Sequence, residues 1–276
     1  MKKYTGTVKL VVIYGLLIFS ALIMLTPFAW MISASLKLEK DVFAYPIKWI
    51  PRNPVWSNYT VIWEKFPLAI GFVNSFKLTF ATMILQITTS SAAAYAFAKL
   101  DFKGRNTLFM AYITTIAIPW QVYMVPQYIM MSKFHLVDSH IGIILMHAFT
   151  AMGVFLIRQF YMGIPNELLE AARIDGLSEY GILTRIMLPL SKPAIATMAI
   201  TSFVFEWNDF MGPLIYLSTT EKKTIQLMIR LFNTMYSTNY AWMMAAAVIA
   251  LVPVFIIFIS LQKYFVQGVA TSGLKG

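Results

Sequence analysis

The sequence predicts an all-α polytopic membrane protein with six transmembrane helices, and three observations carry that prediction. Hydrophobic residues make up 59% of the chain, against roughly 45–50% in a soluble domain. Charged residues supply only 12%, where about 25% is usual. A soluble chain of 276 residues would leave too much apolar surface uncovered. Proline and glycine also fall within the long apolar runs, which spanning helices tolerate and soluble helices rarely do.

A helix needs about 20 apolar residues to cross about 30 Å of hydrocarbon. Six segments reach that length, at residues 10–35, 68–98, 107–131, 139–163, 191–217 and 241–263. Residues 1–276 are read as one transmembrane domain, with a polar loop at 164–190 and a tail at 264–276. Lys2, Lys3 and Lys9 precede the first run, and Ser33-Ala34-Ser35 looks like a cleavage site. That run exceeds the about 7–15 apolar residues of a signal peptide, so it reads as an uncleaved first helix. In the second segment Asn74, Lys77 and Gln86 are weak path candidates; Lys77 reads as snorkelling toward the outer interface.

The third segment contains Pro119-Trp120-Gln121-Val122-Tyr123 and then Pro126. Such prolines imply a kinked or unwound helix, tolerable only where freed carbonyls face protein or water. Trp120, Gln121 and Tyr123 are therefore candidates for lining a gate; alternatively the prolines only shape the bundle. The fifth segment carries Glu206, Trp207, Asn208 and Asp209. Carboxylates within a membrane are costly and face the bundle interior or a water-filled path. Amide and aromatic groups there suit the hydroxyls and C–H faces of a sugar; the alternative is packing against a partner subunit.

Orientation follows from the short links, where Lys and Arg mark the cytoplasmic side. Lys99, Lys103 and Arg105 crowd the link between the second and third segments, and the next link has Lys133 alone. An even number of spans then places both termini and the 164–190 loop in the cytoplasm. The net charge of +10 is scattered over loops without a basic stripe, which argues for anionic lipid and against nucleic acid. The chain has no cysteine, which excludes thiolate chemistry. His135, His140 and His147 lack metal-ligand spacing. Gly268 and Gly273 stand as in a phosphate-binding loop, but Leu274 occupies the position that needs Lys. Neither catalytic residues, nor a metal, nor a cofactor is expected in this chain.

The polar loop is the sharpest feature. It runs Pro165-Asn166-Glu167-Leu168-Leu169-Glu170-Ala171-Ala172-Arg173-Ile174-Asp175-Gly176, then Ile186-Met187-Leu188-Pro189. Pro165 and Glu167 suit a helix start, and Asp175-Gly176 suits its end with φ > 0. Ser178 is placed to cap a second short helix through Ile186, and Pro189 to mark the turn back into the membrane. Ala171 and Ala172 leave a smooth patch for a partner. A helix lying on lipid is the alternative, but such helices carry a Lys/Arg-rich face, and this one is acidic.

This spacing, E-A-A-x3-G-x9-I-x-L-P, resembles the EAA loop of ABC-importer permeases. The run Glu206-Trp207-Asn208-Asp209-Phe210 with Pro213-Leu214, and the ending Ser272-Gly273-Leu274-Lys275-Gly276, resemble the sugar branch, in particular the smaller permease subunit of maltose-type and multiple-sugar importers. The resemblance covers essentially the whole chain and implies the type I importer architecture. It implies that Glu170, Ala171, Ala172, Asp175, Gly176, Leu188 and Pro189 couple to an ATPase. It also implies that Ser272 through Gly276 contact the ATPases, the alternative being a frayed terminus. Implied partners are a second homologous permease subunit, two ATPase subunits that bind ATP and Mg, and an extracellular or periplasmic binding protein. The loop from Thr219 to Tyr240, with Asn233, Tyr236 and Asn239, would meet that binding protein. A bacterial or archaeal cell membrane follows, and a neutral sugar or oligosaccharide is expected over glycerol phosphate. A secondary transporter is the less favoured alternative, since no repeated halves are seen.

Overall fold

The computed structural model describes residues 2–233 and 239–273, with side chains from Lys9 to Asn233 and from Asn239 to Lys263. In chain order the α-helices are α1 (Lys2–Ser35), α2 (Glu39–Val42), α3 (Asn58–Lys65), α4 (Leu68–Lys99), α5 (Arg105–Thr114), α6 (Trp120–Lys133), α7 (His140–Met146) and α8 (Ala151–Met162). They continue as α9 (Asn166–Ile174), α10 (Glu179–Ile182), α11 (Leu188–Leu190), α12 (Lys192–Asn208), α13 (Met211–Tyr216), α14 (Ile225–Arg230) and α15 (Tyr240–Gly273). No β-strand occurs among the described residues.

Three helices are apolar and long enough to cross a membrane unbroken: Lys9–Ser35, Leu68–Lys99 and Tyr240–Lys263. Other helices reach that length only in pairs. The pair α5 with α6 bends by 99° and the pair α7 with α8 by 48°. The first break falls where the prolines of the 107–131 segment implied a kinked or unwound helix, while the second interrupts a segment expected to run unbroken at 139–163. The first has a local cause. Ile118 precedes Pro119 and takes extended angles, φ −88° and ψ 109°, because a proline ring clashes with a helical residue before it. Pro126 lies inside α6 without ending it, so only one of the two prolines breaks the chain. At the second break Thr150 is extended and its hydroxyl accepts the Gly153 N–H, which caps α8. The segment expected at 191–217 is also interrupted: α12 stops at Asn208, and Asp209 is extended at φ −63° and ψ 122°.

The chain forms two compact units, residues 1–69 with 228–252, and residues 70–227 with 253–276. In the first unit, Ala34, Val42 and Ala241 form a small core. Asn58 there donates to the Ser35 and Lys37 carbonyls at 2.8 and 2.9 Å. The second unit holds the larger core, where Ala94, Tyr95, Phe109, Val154, Ile157 and Tyr161 pack with Leu169, Ala172, Ile182 and Met187. That core roots the polar loop.

Candidate functional site

Residues 164–190 form a short helical hairpin with one face anchored and one face open. Pro165 stands just ahead of α9. At its end Gly176 adopts φ +83°. The Gly176 N–H reaches the Arg173 carbonyl at 3.0 Å and the Leu177 N–H reaches Ala172 at 3.0 Å. This pair of bonds is a Schellman turn, which needs a left-handed residue at that position. The Ser178 hydroxyl then accepts the Gly181 N–H at 3.2 Å and caps α10.

The second helix runs further than expected. It widens into a π-helix over Leu183–Met187 and continues through α11. Pro189 sits inside α11, and the chain turns at Ser191, whose hydroxyl bonds the Met187 carbonyl at 2.7 Å. The turn is therefore two residues later than Pro189 suggested. A wider helical turn relieves the clash a proline ring makes with the carbonyl four residues back.

The two alanines separate. Leu169 and Ala172, three apart on α9, are buried in the core of their own chain. Ala171 is exposed with Glu170, Asp175, Gly176 and Pro189, and Leu188 is half-buried. The smooth patch is thus Ala171 without Ala172, because a helix that buries position 169 also buries 172. Large apolar side chains share the open face: Ile174 is 86% exposed and Tyr180 76%.

Two polar clamps hold the hairpin to α4. Arg173 Nε lies 2.8 Å from Glu179 Oε1, and the Tyr95 hydroxyl donates to Glu179 Oε2. The Arg173 guanidinium, followed by the Tyr95 hydroxyl, holds the Glu179 carboxyl below its ordinary range. Lys99 Nζ donates to the Ile164 carbonyl at 2.6 Å and to Asn166 Oδ1 at 2.7 Å.

A second polar cluster lies midway along α4. Gln86 donates to the His147 carbonyl at 2.8 Å and to Glu206 Oε1 at 2.9 Å. His147 Nδ1 is 2.7 Å from Glu206 Oε2. The Glu206 side chain is only 5% exposed. Its partner comes from the break between α7 and α8, far along the sequence. Neighbouring path candidates are arranged differently. Trp207 is buried, with Phe203 stacked at 5.7 Å and Phe76 at 4.8 Å between centroids; it builds an aromatic core and is not a plate open to a sugar. Asp209 Oδ1 accepts the Gly212 N–H at 3.2 Å at the start of α13. Asn208 is exposed and accepts from Gln226 at 3.3 Å. Trp120 Nε1 donates to Gln127 at 2.8 Å, while Gln121 and Tyr123 are exposed.

A third knot was not legible in sequence. Asp138 takes φ +55°, and its carboxylate receives the Ser218 and Thr219 N–H groups, each at 3.0 Å. Lys222 Nζ is 2.8 Å from the same carboxylate. Lys222, then Thr219, hold the Asp138 carboxyl well below the usual carboxylate range. Of the residues expected to meet a binding protein, Asn233 is exposed, and Asn239 Oδ1 accepts the Trp242 N–H at 2.9 Å at the start of α15. Tyr236 lies outside the described residues. Ser272 and Gly273 close α15, and Leu274, Lys275 and Gly276 lie outside the described residues. Among the described residues no cluster of His, Asp and Glu has the makings of a metal site.

Broken apolar spans joined by an exposed, anchored helical hairpin define a polytopic membrane transport subunit. Residues 86–271 match the family described as binding-protein-dependent transport system inner membrane component, and the chain belongs to it. It is a permease subunit of an ABC importer. It is 35% identical over 261 residues to the arabinooligosaccharides transport system permease protein AraQ of Halalkalibacterium halodurans, covering 94% of each chain. It is 34% identical to the sn-glycerol-3-phosphate transport system permease protein UgpE of Yersinia pestis, covering 93% of this chain and 94% of that one. The fold matches a chain in the crystal structure of a bacterial ABC transporter involved in alginate import, with a TM-score of 0.84 at 24% identity over 95% of this chain and 98% of the other.

Proposed function

We propose that this subunit forms half of the translocation path for a neutral sugar or oligosaccharide, pairing with a second homologous permease subunit. The substrate arrives on an extracellular or periplasmic binding protein. Two separate ATPase subunits bind ATP and Mg and drive the cycle, and this chain holds no catalytic residue. Both termini and residues 164–190 face the cytoplasm of a bacterial or archaeal cell.

The observation that carries this reading is the open face of the hairpin. Glu170, Ala171, Ile174, Asp175, Gly176 and Tyr180 are exposed on a loop whose other side is packed into the core. Apolar side chains left in water beside carboxylates suit a protein partner. That face docks the ATPase, with Leu188 and Pro189 on the return helix, and the tail from Ser272 to Gly276 adds a second contact. Gln121, Tyr123 and Asn208 are the exposed path candidates, and Trp120 is half-buried beside them in sequence. Neutral substrates are favoured because these candidates offer amides and aromatics where an anion would call for Arg or Lys. The likeness to UgpE supports glycerol phosphate as the second reading.

Uptake into vesicles carrying the complete transporter separates the two. Labelled arabinotriose, raffinose and glycerol 3-phosphate are offered with ATP. Accumulation of a sugar without glycerol 3-phosphate supports the first reading. Accumulation of glycerol 3-phosphate alone overturns it.

A further inference from the structure

We propose that Arg105 and Arg158 form a binding site for the phosphate of an anionic phospholipid in the cytoplasmic leaflet. Its acyl chains lie on exposed apolar side chains one turn deeper along α5 and α8. This rests on the reading above that the link between α4 and α5 faces the cytoplasm.

The site begins where α5 packs against α8. Phe97 of α4 lies 5.5 Å from the buried Phe109 of α5, between ring centroids. The Arg158 guanidinium covers the Phe109 ring at 3.9 Å, and its Nε donates to the Phe97 carbonyl at 3.1 Å. These contacts fix the group in place and use one of its five N–H donors. The four on its terminal nitrogens have no protein acceptor among the described residues. Arg105 is the charge that acts on Arg158, and the two repel. Arg105 itself reaches the Leu100 carbonyl and Asp101 Oδ1, each at 2.9 Å. The Asp101 side chain is 97% exposed, and water weakens a pair so open to solvent. Two guanidinium groups thus stand against one loosely held carboxylate, with Lys103 exposed in the adjoining link. An oxyanion between them accepts from both and cancels their repulsion.

The surroundings decide which oxyanion. In this orientation α5 enters the membrane from Arg105, and α8 leaves it past Arg158. Leu108, three residues after Arg105, and Phe155, three residues before Arg158, are both exposed. Residues three apart share a helix face, so each arginine has an open apolar side chain one turn deeper on its own face. A phospholipid supplies both halves: phosphate at the headgroup level and hydrocarbon beneath it. Basic pockets between spanning helices on the cytoplasmic side suit that chemistry. Free phosphate leaves Leu108 and Phe155 without a partner, and an acidic surface of an ATPase stays in water above them.

Photo-crosslinking in the complete transporter tests this, in phosphatidylethanolamine vesicles carrying a trace of phosphatidylglycerol with a diazirine in its acyl chain. In the parent, the label is found on the peptides holding Leu108 and Phe155. In Arg158→Gln the yield there falls about fivefold, the factor for one basic residue near an anionic headgroup. Arg158→Lys, which keeps the charge, recovers most of it, and Lys133→Gln, at an exposed lysine outside the site, leaves it intact. An undiminished yield in Arg158→Gln, or an equal yield from diazirine phosphatidylcholine, overturns the proposal. So does competition by excess inorganic phosphate, which assigns the site to free phosphate. A yield that appears only once the ATPase subunits are stripped away also overturns it and assigns the face to them. Should Arg158→Gln fail to fold, Arg105→Gln decides by the same criterion. Failure of the cytoplasmic reading shows separately: a Lys103→Cys variant, in a chain with no other cysteine, would be labelled by an impermeant maleimide from outside intact cells.

Discussion

Residues 164–190 and the Gln86–His147–Glu206 junction each concentrate polar groups in an apolar protein, and they are assembled on different scales. The hairpin takes its shape from near neighbours: Gly176 closes onto Arg173, Ser178 caps Gly181, and Arg173 pairs with Glu179. The junction joins residues that lie 61 and 120 positions apart. One places its polar and apolar groups outward, where a partner can use them. The other turns a carboxyl group inward, where Gln86 meets one of its oxygens and His147 the other. The difference separates an open surface, proposed above to dock the ATPase, from a contact that fixes the chain to itself.

The largest effect expected from breaking this contrast is at Glu206. Glu206→Ala leaves His147 and Gln86 without their shared partner in a buried site, a loss of roughly 1–3 kcal/mol for each polar group left unsatisfied. The yield and Tm of the purified chain should drop sharply, and Glu206→Gln, which still accepts from Gln86, should drop less. An unchanged Tm for Glu206→Ala would show that the junction does not hold the chain.

Next comes the inner face of α9. Ala172→Trp should overpack the core at a cost of roughly 1–3 kcal/mol and lower Tm. Ala171→Trp should leave Tm alone and reduce ATPase recovery. Equal behaviour of the two variants would remove the distinction between the anchored and open faces.

A smaller effect is expected at Gly176. No atom lies within 4 Å of a Cβ added there, so the penalty is conformational, about 1–2 kcal/mol for a left-handed L-residue. Gly176→Val should keep the chain inserted and weaken ATPase association, while Gly176→Asn, tolerant of that region, should retain it. Normal association with Val would argue that the turn has no part in docking.

These three tests also mark what the sequence made legible. The φ > 0 turn and the Ser178 cap were readable because each depends on residues within a few positions. The inward turn of Ala172 was not, since the motif gives spacing without saying which face the core takes. Glu206 was recognisable as an intramembrane carboxylate, yet its partner His147 stood in another span and carried no spacing signal. The break at Ile118 followed from Pro119, whereas the break near Thr150 had no proline to announce it. Trp207 looked like a ligand plate because a lone aromatic beside polar residues says nothing of the phenylalanines that cover it.

The smallest effect concerns the Asp138 knot. Its carboxyl titrates below the ordinary range in the folded chain. Its contribution is therefore complete above the unfolded value of about 3.9 and is lost as pH falls through the lower folded value. The Tm difference between the parent and Asp138→Asn should stay constant from about pH 5 to 8 and shrink only below about pH 4. A difference that changes near neutrality would assign the effect to another group.

The central claim is that this chain moves its substrate only when an ATPase acts on the open hairpin. It is tested most directly by reconstituting the two permease subunits in vesicles with and without the ATPase subunits, supplying binding protein and sugar, and measuring uptake. Accumulation that requires both the ATPase and hydrolysable ATP is the result expected. Accumulation driven by an ion gradient in vesicles lacking the ATPase would contradict the account.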